Sequence, residues 1–168
     1  MRLTSFTDYG LRVLMLLGLR DGELVSVRQM AAVYGLSEYH LLKIVQALAR
    51  LGYVKPVRGR SGGIRLAMKP EKVNLGKVVR QMESGFALVD CMDEQRRNAC
   101  VIHSACQLRK ALARAVQAFL GVLGQYTLAD ALRKPGRIQS VLGLQSASTA
   151  SRARSRRRPR RRAPSRRS

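Results

Sequence analysis

The three cysteines of this chain lie in one segment of sixteen residues, CMDEQRRNACVIHSAC, at Cys91, Cys100 and Cys106. Clustered thiols are ligands that zinc ions and iron–sulfur clusters take in proteins. Eight residues separate the first pair and five the second, which matches neither the CxxC pairs of zinc ribbons nor the CxxCxxC run of ferredoxins. Because such centres normally take four protein ligands, the segment predicts a metal site that lacks one. His103, inside the segment, and a carboxylate from elsewhere are the candidates, although His103 could equally be a bystander.

The chain is strongly basic, with a formal charge of +22 over its 168 residues. Ten of these charges are the arginines of residues 145–168, which contain no acidic residue, so residues 1–144 still carry +12. This excess favours a polyanionic partner, and nucleic acid is the usual one. The tail has no apolar periodicity, so we expect it to be disordered, either adding phosphate contacts or serving no function.

The opening residues contain Asp8 and no apolar core region, so they do not form a signal peptide. The apolar stretch at residues 13–19 is too short to cross a bilayer. We therefore expect a soluble cytoplasmic protein. Thiols stay reduced in that compartment, so clustered cysteines there indicate metal binding or redox sensing over structural disulfides.

Apolar periodicity predicts the helices that position these groups. Residues 5–20 form the first helix, and residues 26–54 contain two more, each preceded by a serine that can cap it, Ser26 and Ser37. Gly35 separates these two helices. Two helices joined by a short turn that contains glycine are typical of a helix-turn-helix.

A hairpin is predicted directly after this helix pair. Two short runs of β-forming residues, 53–57 and 64–67, flank the glycine-rich turn RGRSGG at residues 58–63. A hairpin in this place is the wing of a winged helix. Residues 23–27 are a further candidate for a short strand.

The strongest periodicity in the chain follows the cysteine segment and predicts a helix of about eighteen residues. Its apolar residues recur at steps of three and four: Leu108, Ala111, Leu112, Ala115, Val116, Phe119, Leu120 and Leu123. A small domain has little core left to cover this stripe, and winged helices usually bind DNA as symmetric pairs, so we assign it to a homodimer interface. The alternative is that it packs only within its own chain.

Two further helices have local start signals. Asn74 can cap a helix over residues 75–83, and Thr127 with Asp130 forms a capping box for a last short helix. From about residue 135 we expect order to fade.

The predicted DNA-reading residues lie at the start of the second helix of the pair and on the wing. The first turns of such a helix reach base edges in the major groove, and they hold Ser37, Glu38, Tyr39, His40 and Lys43. On the wing, Arg58, Arg60 and Arg65 can pair with phosphates or enter a minor groove. Each alone could be a solvated surface residue, but three arginines without an acid favour DNA contact.

Four segments together resemble the nitric-oxide-sensing repressors of the Rrf2 family of winged-helix regulators. They are MRLTSFTDYGLR, VYGLSEYHLLKIV, VRGRSGGIRLA and AVQAFLGVLGQYTLADAL, and the resemblance covers about residues 1–144. It implies a homodimeric repressor that binds operator DNA while it holds an iron–sulfur cluster. It also implies that nitric oxide destroys the cluster and so releases genes for nitric oxide detoxification.

The resemblance further implies a [4Fe-4S] cluster, with [2Fe-2S] as the alternative, held by the three cysteines and by Asp8 of the other subunit. Arg12 lies one helical turn after Asp8 and would support it. The IscR-type members of the family instead need a histidine three residues after the last cysteine, where this chain has Arg109, which cannot ligate. One departure is the longer spacing between the first two cysteines, since the family usually separates them by five residues.

The predicted fold is mainly α: a winged helix-turn-helix domain with a long C-terminal dimerisation helix. Its parts are a DNA-binding domain over 1–84, a cluster-binding loop over 85–106, a dimerisation helix and a short C-terminal helix over 107–134, and a basic, disordered tail over 135–168.

Two alternatives for the function stay open. One keeps the fold but senses another redox or iron signal through zinc, a [2Fe-2S] cluster or a thiol switch. The other is an architectural or RNA-associated protein led by its tail. We expect no enzyme, because the sequence has no Ser/His/Asp set, P-loop or supported carboxylate pair.

Overall fold

The computed structural model describes residues 2–59, 61–93, 95–96 and 100–144. Within them the chain forms helices α1 (Ser5–Leu19), α2 (Val27–Tyr34), α3 (Glu38–Arg50), α4 (Leu75–Met82), α5 (Gln107–Leu123), α6 (Leu128–Ala131) and α7 (Pro135–Val141), and strands β1 (Val54–Val57) and β2 (Gly63–Leu66). Short 3₁₀ turns lie at Pro70–Lys72 and Asp90–Met92. Two compact units divide between Lys134 and Pro135. The predicted winged helix, mainly α with one small sheet, is confirmed.

Helix α1 lies at the centre of the main hydrophobic core. The Thr4 side chain accepts a hydrogen bond from the backbone N–H of Thr7, which caps the helix start. Its apolar residues Val13, Leu14 and Leu16 are fully buried. Glu83, directly after α4, accepts hydrogen bonds from both the backbone N–H and the hydroxyl of Thr4, at 2.8 and 3.1 Å. The start of α1 is therefore fastened to the end of α4.

The predicted helix-turn-helix consists of α2 and α3. Ser26 and Gln29 form a complete capping box at the start of α2, and the helix ends at Gly35, whose φ of 63° is the left-handed conformation that glycine tolerates. Helix α3 buries Leu41, Ile44, Val45 and Leu48, which lie on one face at helical spacing. Burial of that face leaves the opposite face of α3 in solvent.

The wing is an antiparallel hairpin in which β1 pairs with β2. Ile64 of β2 faces the core, and it also forms a single bridge with Val25. The strand expected over residues 23–27 is thus only this bridge, because Ser26 already caps α2 and the chain turns helical at Val27.

Helices α4 and α5 approach each other at the backbone. The Asn74 side chain accepts from the Lys77 N–H, as predicted for a cap, and it donates to the Gly124 carbonyl at 2.6 Å. A Cβ atom at Gly76 would lie 2.6 Å from the Gly124 nitrogen, so only glycine permits this approach. The predicted capping box of Thr127 and Asp130 is present at the start of α6.

The fading of order expected from residue 135 is wrong for the residues up to 144, because α7 occupies Pro135–Val141. Proline suits the first position of a helix. At the other end, Gly143 has a φ of 63°, its N–H donates to Ser140, and the N–H of Leu144 donates to the Gln139 carbonyl. These bonds form a Schellman motif, which terminates α7. The remainder of the tail, residues 145–168, lies outside the described residues.

Candidate DNA-reading surface and metal-binding loop

The predicted reading residues of α3 all face solvent: Ser37, Glu38, Tyr39, His40 and Lys43. Tyr39 keeps 63% of its surface exposed although its ring is large and mostly apolar. The Lys43 amine lies 4.4 Å from the centre of that ring, and the His40 ring centre lies 6.0 Å from it. The side chains are thus grouped on one face that has no protein partner in the described chain, which suits contact with base edges.

Leu42 belongs to the same face and was not predicted. It follows Tyr39 by three residues, so both project from one side of α3, and Leu42 is 46% exposed. Apolar side chains in this position contact thymine methyl groups in the major groove. The available signal was a leucine outside the buried stripe of α3.

The wing carries more cations than the three predicted arginines. Arg58 and Arg65 are exposed, and Arg60 lies outside the described residues. Lys55 lies directly opposite Arg65 in the register of the hairpin and is exposed as well. Neither has an ion pair with a carboxylate of the described residues. Like charges directly opposite each other normally destabilise a hairpin, so this pair favours a polyanion at the wing.

The Lys55–Arg65 pair borders an open cleft of about 490 Å³ between the wing and the end of α1. Lys69 lines the same cleft, and Asp21 is its acidic member. We name this surface the basic cleft and define it by Lys55, Arg65 and Lys69. Lys55 and Lys69 were not predicted, because their proximity to Arg65 depends on strand register and on the chain path after the wing.

All three cysteines are free and half-buried. Cys91 lies in the turn Asp90–Met92, and Cys106 precedes α5, where its sulfur accepts from the Arg109 N–H at 3.5 Å. Within the described residues, no three or more His, Cys, Asp or Glu side chains are grouped closely enough to hold a metal. The structure of one chain therefore does not bring the three predicted thiol ligands together.

The start of the cysteine segment rests on a second hydrophobic cluster. Its buried residues are Val79, Val116 and Leu120, and Met92, the neighbour of Cys91, packs against them. Leu3 and Leu11, which flank Asp8 in sequence, pack against the same cluster. The cysteine segment and the opening of α1 are thus supported by shared apolar side chains.

Asp8 and Arg12 form the close pair that their one-turn spacing predicts. The guanidinium Nε and Nη2 atoms donate to the two carboxylate oxygens at 3.1 and 2.8 Å. The hydrogen bond to Asp8 raises the pKa of Arg12. The Asp8 side chain is 43% exposed, so it remains accessible to a second molecule. Ligation by Asp8 stays a prediction.

His103 has a buried ring nitrogen, Nε2, without a hydrogen-bond partner among the described residues. Its backbone N–H donates to the Cys100 carbonyl at 3.1 Å. Buried imidazole nitrogens normally have a partner. Three reduced thiols, an unpartnered imidazole and an accessible carboxylate make a donor set that fits an iron–sulfur cluster or zinc.

Helix α5 buries only part of its predicted stripe, since three of the eight residues are exposed, three are half-buried and two are buried. The two buried residues are Val116 and Leu120. Leu108 is 66% exposed, and Val122, which lies outside the predicted stripe, is 54% exposed. Inside the cysteine segment, Val101 and Ile102 are also exposed, at 100% and 62%. Phe119 and Leu123 pack against the cluster of Val79, Val116 and Leu120, so part of the stripe packs within its own chain. The assignment of the stripe to a homodimer interface stays a prediction.

None of the helices in the described part of the chain has the length and apolar character required to cross a bilayer. The family model of Rrf2, described as an iron-dependent transcriptional regulator, matches residues 3–134. The HTH-type transcriptional regulator NsrR of Bacillus subtilis is 46% identical over 143 residues, which cover 84% of this chain and 97% of that protein. CymR, the global cysteine regulator of B. subtilis, has a similar structure, with a TM-score of 0.60, 26% identity and coverage of 77% of this chain and 95% of that chain. IscR of T. potens shares the fold, with a TM-score of 0.64, 24% identity and coverage of 89% and 96%.

Proposed function

Because the chain belongs to the Rrf2 family of transcriptional regulators, which are not enzymes, we propose that it is a homodimeric repressor that binds operator DNA. The observation that carries this proposal is the face of α3, on which every predicted reading residue is exposed while the opposite face is buried. The basic cleft beside the wing adds cations for the phosphate backbone. Together they match the usual division between base contacts that specify and phosphate contacts that position.

Dimerisation is supported by α5. Its exposed leucine and valine side chains would lose contact with water if they packed against the same helix of a second copy. A twofold arrangement of this kind also presents two α3 helices to successive major grooves. Substitution of Leu108 by glutamate, measured by light scattering against Arg114→Glu as an exposed α5 control, tests the interface. A Leu108→Glu protein that stays dimeric contradicts this assignment of Leu108.

We propose further that Cys91, Cys100, Cys106 and Asp8 of the partner subunit hold a [4Fe-4S] cluster. When bound, the cluster would supply iron that reacts with nitric oxide, the proposed signal. Asp8 is suited to a labile position because a carboxylate is a harder and weaker ligand for iron than a thiolate. Both of its oxygens accept from Arg12 in the single chain, and each keeps a second lone pair with which it could ligate iron. Arg12 would then orient the ligand.

Anaerobic purification, followed by absorption and electron paramagnetic resonance spectra and by iron and sulfide counts, tests the cofactor. We expect brown protein with about four iron and four sulfide per chain, and loss of the colour and of DNA binding after nitric oxide. Cys100→Ser should lose the cluster, whereas Ser104→Ala, a neighbour without a thiol, should keep it. Colourless protein with stoichiometric zinc would overturn the proposal.

The second candidate function uses zinc, a [2Fe-2S] cluster or a thiol switch on the same fold. Of these, the thiol switch is favoured by the free, half-buried cysteines, because it does not need them gathered into a metal site in the described chain. Two iron and two sulfide per chain identify the smaller cluster, and bound zinc identifies the zinc regulator. A metal-free protein whose DNA affinity changes on oxidation identifies the thiol switch.

A further inference from the structure

Tyr34 connects α1 to the helix-turn-helix. It is the last residue of α2, directly before Gly35, where the chain turns toward α3. Its hydroxyl donates to the backbone carbonyl of Arg12 at 2.9 Å, across 22 residues of sequence. Burial raises the pKa of Tyr34, so the hydroxyl is protonated at neutral pH and acts as the donor.

Arg12 takes part in two contacts, one through its side chain and one through its backbone. Its guanidinium holds the Asp8 carboxylate, and its carbonyl accepts from Tyr34. As an interior residue of α1, Arg12 also offers this carbonyl to the hydrogen-bond ladder of its own helix. The bond from Tyr34 is therefore additional, and its loss leaves no helix carbonyl without a partner.

We infer that Tyr34 is a positioning residue that couples the state of the Asp8 carboxylate to the DNA-reading helix. This inference rests on the proposed function, in which Asp8 is a ligand. The path runs from Asp8 to Arg12 through the ion pair, to Tyr34 through the hydroxyl, and to α3 through Gly35. If ligation displaces Asp8, it shifts this turn of α1 and therefore the end of α2. The turn after α2 sets the angle of α3, so α3 moves as well.

Hydrophobic packing also joins α1 to α3, but it is less directional than the Tyr34 hydrogen bond. Packed apolar faces permit small sliding, whereas a hydrogen bond fixes the distance between two named atoms. Tyr34, which carries the hydroxyl, lies next to Gly35, the left-handed glycine at which the chain turns from α2 to α3. A small displacement at this turn therefore rotates α3. The coupling free energy assigned to Tyr34 is that of one net hydrogen bond.

The test uses Tyr34→Phe, which removes the hydroxyl and keeps the ring. The full-length dimer is prepared with its cluster and without it. Affinity is measured for a duplex that the cluster-loaded wild type selects from a randomised library. The readout is the ratio of the two affinities. We expect this ratio to fall about 2- to 10-fold toward unity in Tyr34→Phe, the range for one net hydrogen bond, while iron content and melting temperature stay near those of the wild type.

Tyr53→Phe is the matched control. The Tyr53 hydroxyl donates to the Gln81 side chain at 2.6 Å, so this variant also loses one tyrosine hydrogen bond, but one that does not involve α1. A wild-type ratio of unity overturns the proposed function. A wild-type ratio above unity that Tyr34→Phe retains, or that both variants lose equally, overturns the role of Tyr34 alone.

A double-mutant cycle distinguishes coupling between Asp8 and Tyr34 from a purely structural role of Tyr34, which would give additive effects. Asp8→Asn should change the DNA affinity of the wild type more than that of Tyr34→Phe, because the second protein has lost the connection. Hydrogen exchange at residues 35–38 in cluster-free protein should be unchanged by Tyr53→Phe and faster in Tyr34→Phe. Additive effects of Asp8→Asn and Tyr34→Phe would contradict the coupling.

Discussion

Replacement of Lys55 by alanine should reduce the salt dependence of DNA binding without harming the hairpin. Lys55 and Arg65 face each other across the wing, both are exposed, and neither is paired with a carboxylate of the described residues. Two opposed cations repel each other by about 0.2–1 kcal/mol. Removal of one should therefore leave the melting temperature unchanged or slightly raised.

Lys55→Ala should weaken DNA binding, although it leaves the melting temperature unchanged or slightly raised. Each phosphate that a side chain neutralises adds about −0.9 to the slope of log affinity against log salt concentration. A fourfold rise in salt, from about 50 to about 200 mM, then weakens each contact about 3.5-fold. Lys55→Ala should bind more weakly than the wild type at low salt, and the difference should shrink about 3.5-fold over this range.

Fluorescence anisotropy with the selected duplex over a salt series measures both slopes. Lys69→Ala, which removes the other lysine of the basic cleft, should reduce the slope by a similar amount. Lys77→Ala is the control, because Lys77 is an exposed lysine on α4 that does not line the cleft. Equal slopes for the wild type and Lys55→Ala would refute the assignment of the cleft to phosphate contact.

Four other outcomes are expected. Asp8→Ala should weaken cluster retention while costing at most about 1 kcal/mol of folding stability, since its ion pair with Arg12 is exposed; cluster spectra and nitric oxide sensitivity identical to those of the wild type would count against Asp8. Gly76→Ala should destabilise the fold by about 1–3 kcal/mol in urea unfolding, because its Cβ would meet the Gly124 backbone at 2.6 Å; Gly85→Ala, which meets no atom within 4 Å, is the control. Hydrogen bonds from Thr127, then Arg133, lower the pKa of Asp130, so its contribution to stability is present above the ordinary aspartate pKa of about 4 and is lost as pH falls from there through the lowered pKa of the folded state; the melting temperatures of the wild type and Asp130→Asn should differ at pH 7, and the difference should shrink as pH falls below about 4. Deletion of residues 145–168 should lower the salt slope and keep sequence-specific binding, and loss of specific binding would favour the tail-led alternative.

Local signals predicted most of the fold. The caps at Ser26, Asn74 and Thr127 were recognisable because a cap involves residues only three apart. The wing was recognisable because its glycine-rich turn lies between two β-forming runs. The end of α7 had the same kind of signal in Gly143, which was not used in predicting the helices.

Contacts between distant residues were beyond the sequence. The opposition of Lys55 and Arg65 depends on hairpin register, and the bond from Tyr34 to Arg12 depends on how α2 packs on α1. The donor residues of the metal-binding loop were predicted by type, and their assembly around a metal stays a prediction. A site that takes one ligand from a second copy cannot be complete in one chain, whatever its sequence.

Cys106 gives the end of the cysteine segment a further property. Its sulfur is the side-chain cap of α5, and sulfur is a weak acceptor, so this cap lies at the low end of the ~0.5–2 kcal/mol that capping residues contribute. Binding of iron or zinc to that sulfur, or its oxidation, changes its strength as an acceptor for the Arg109 N–H. The first turn of the helix with the exposed apolar face therefore frays or tightens with the chemical state of a single atom.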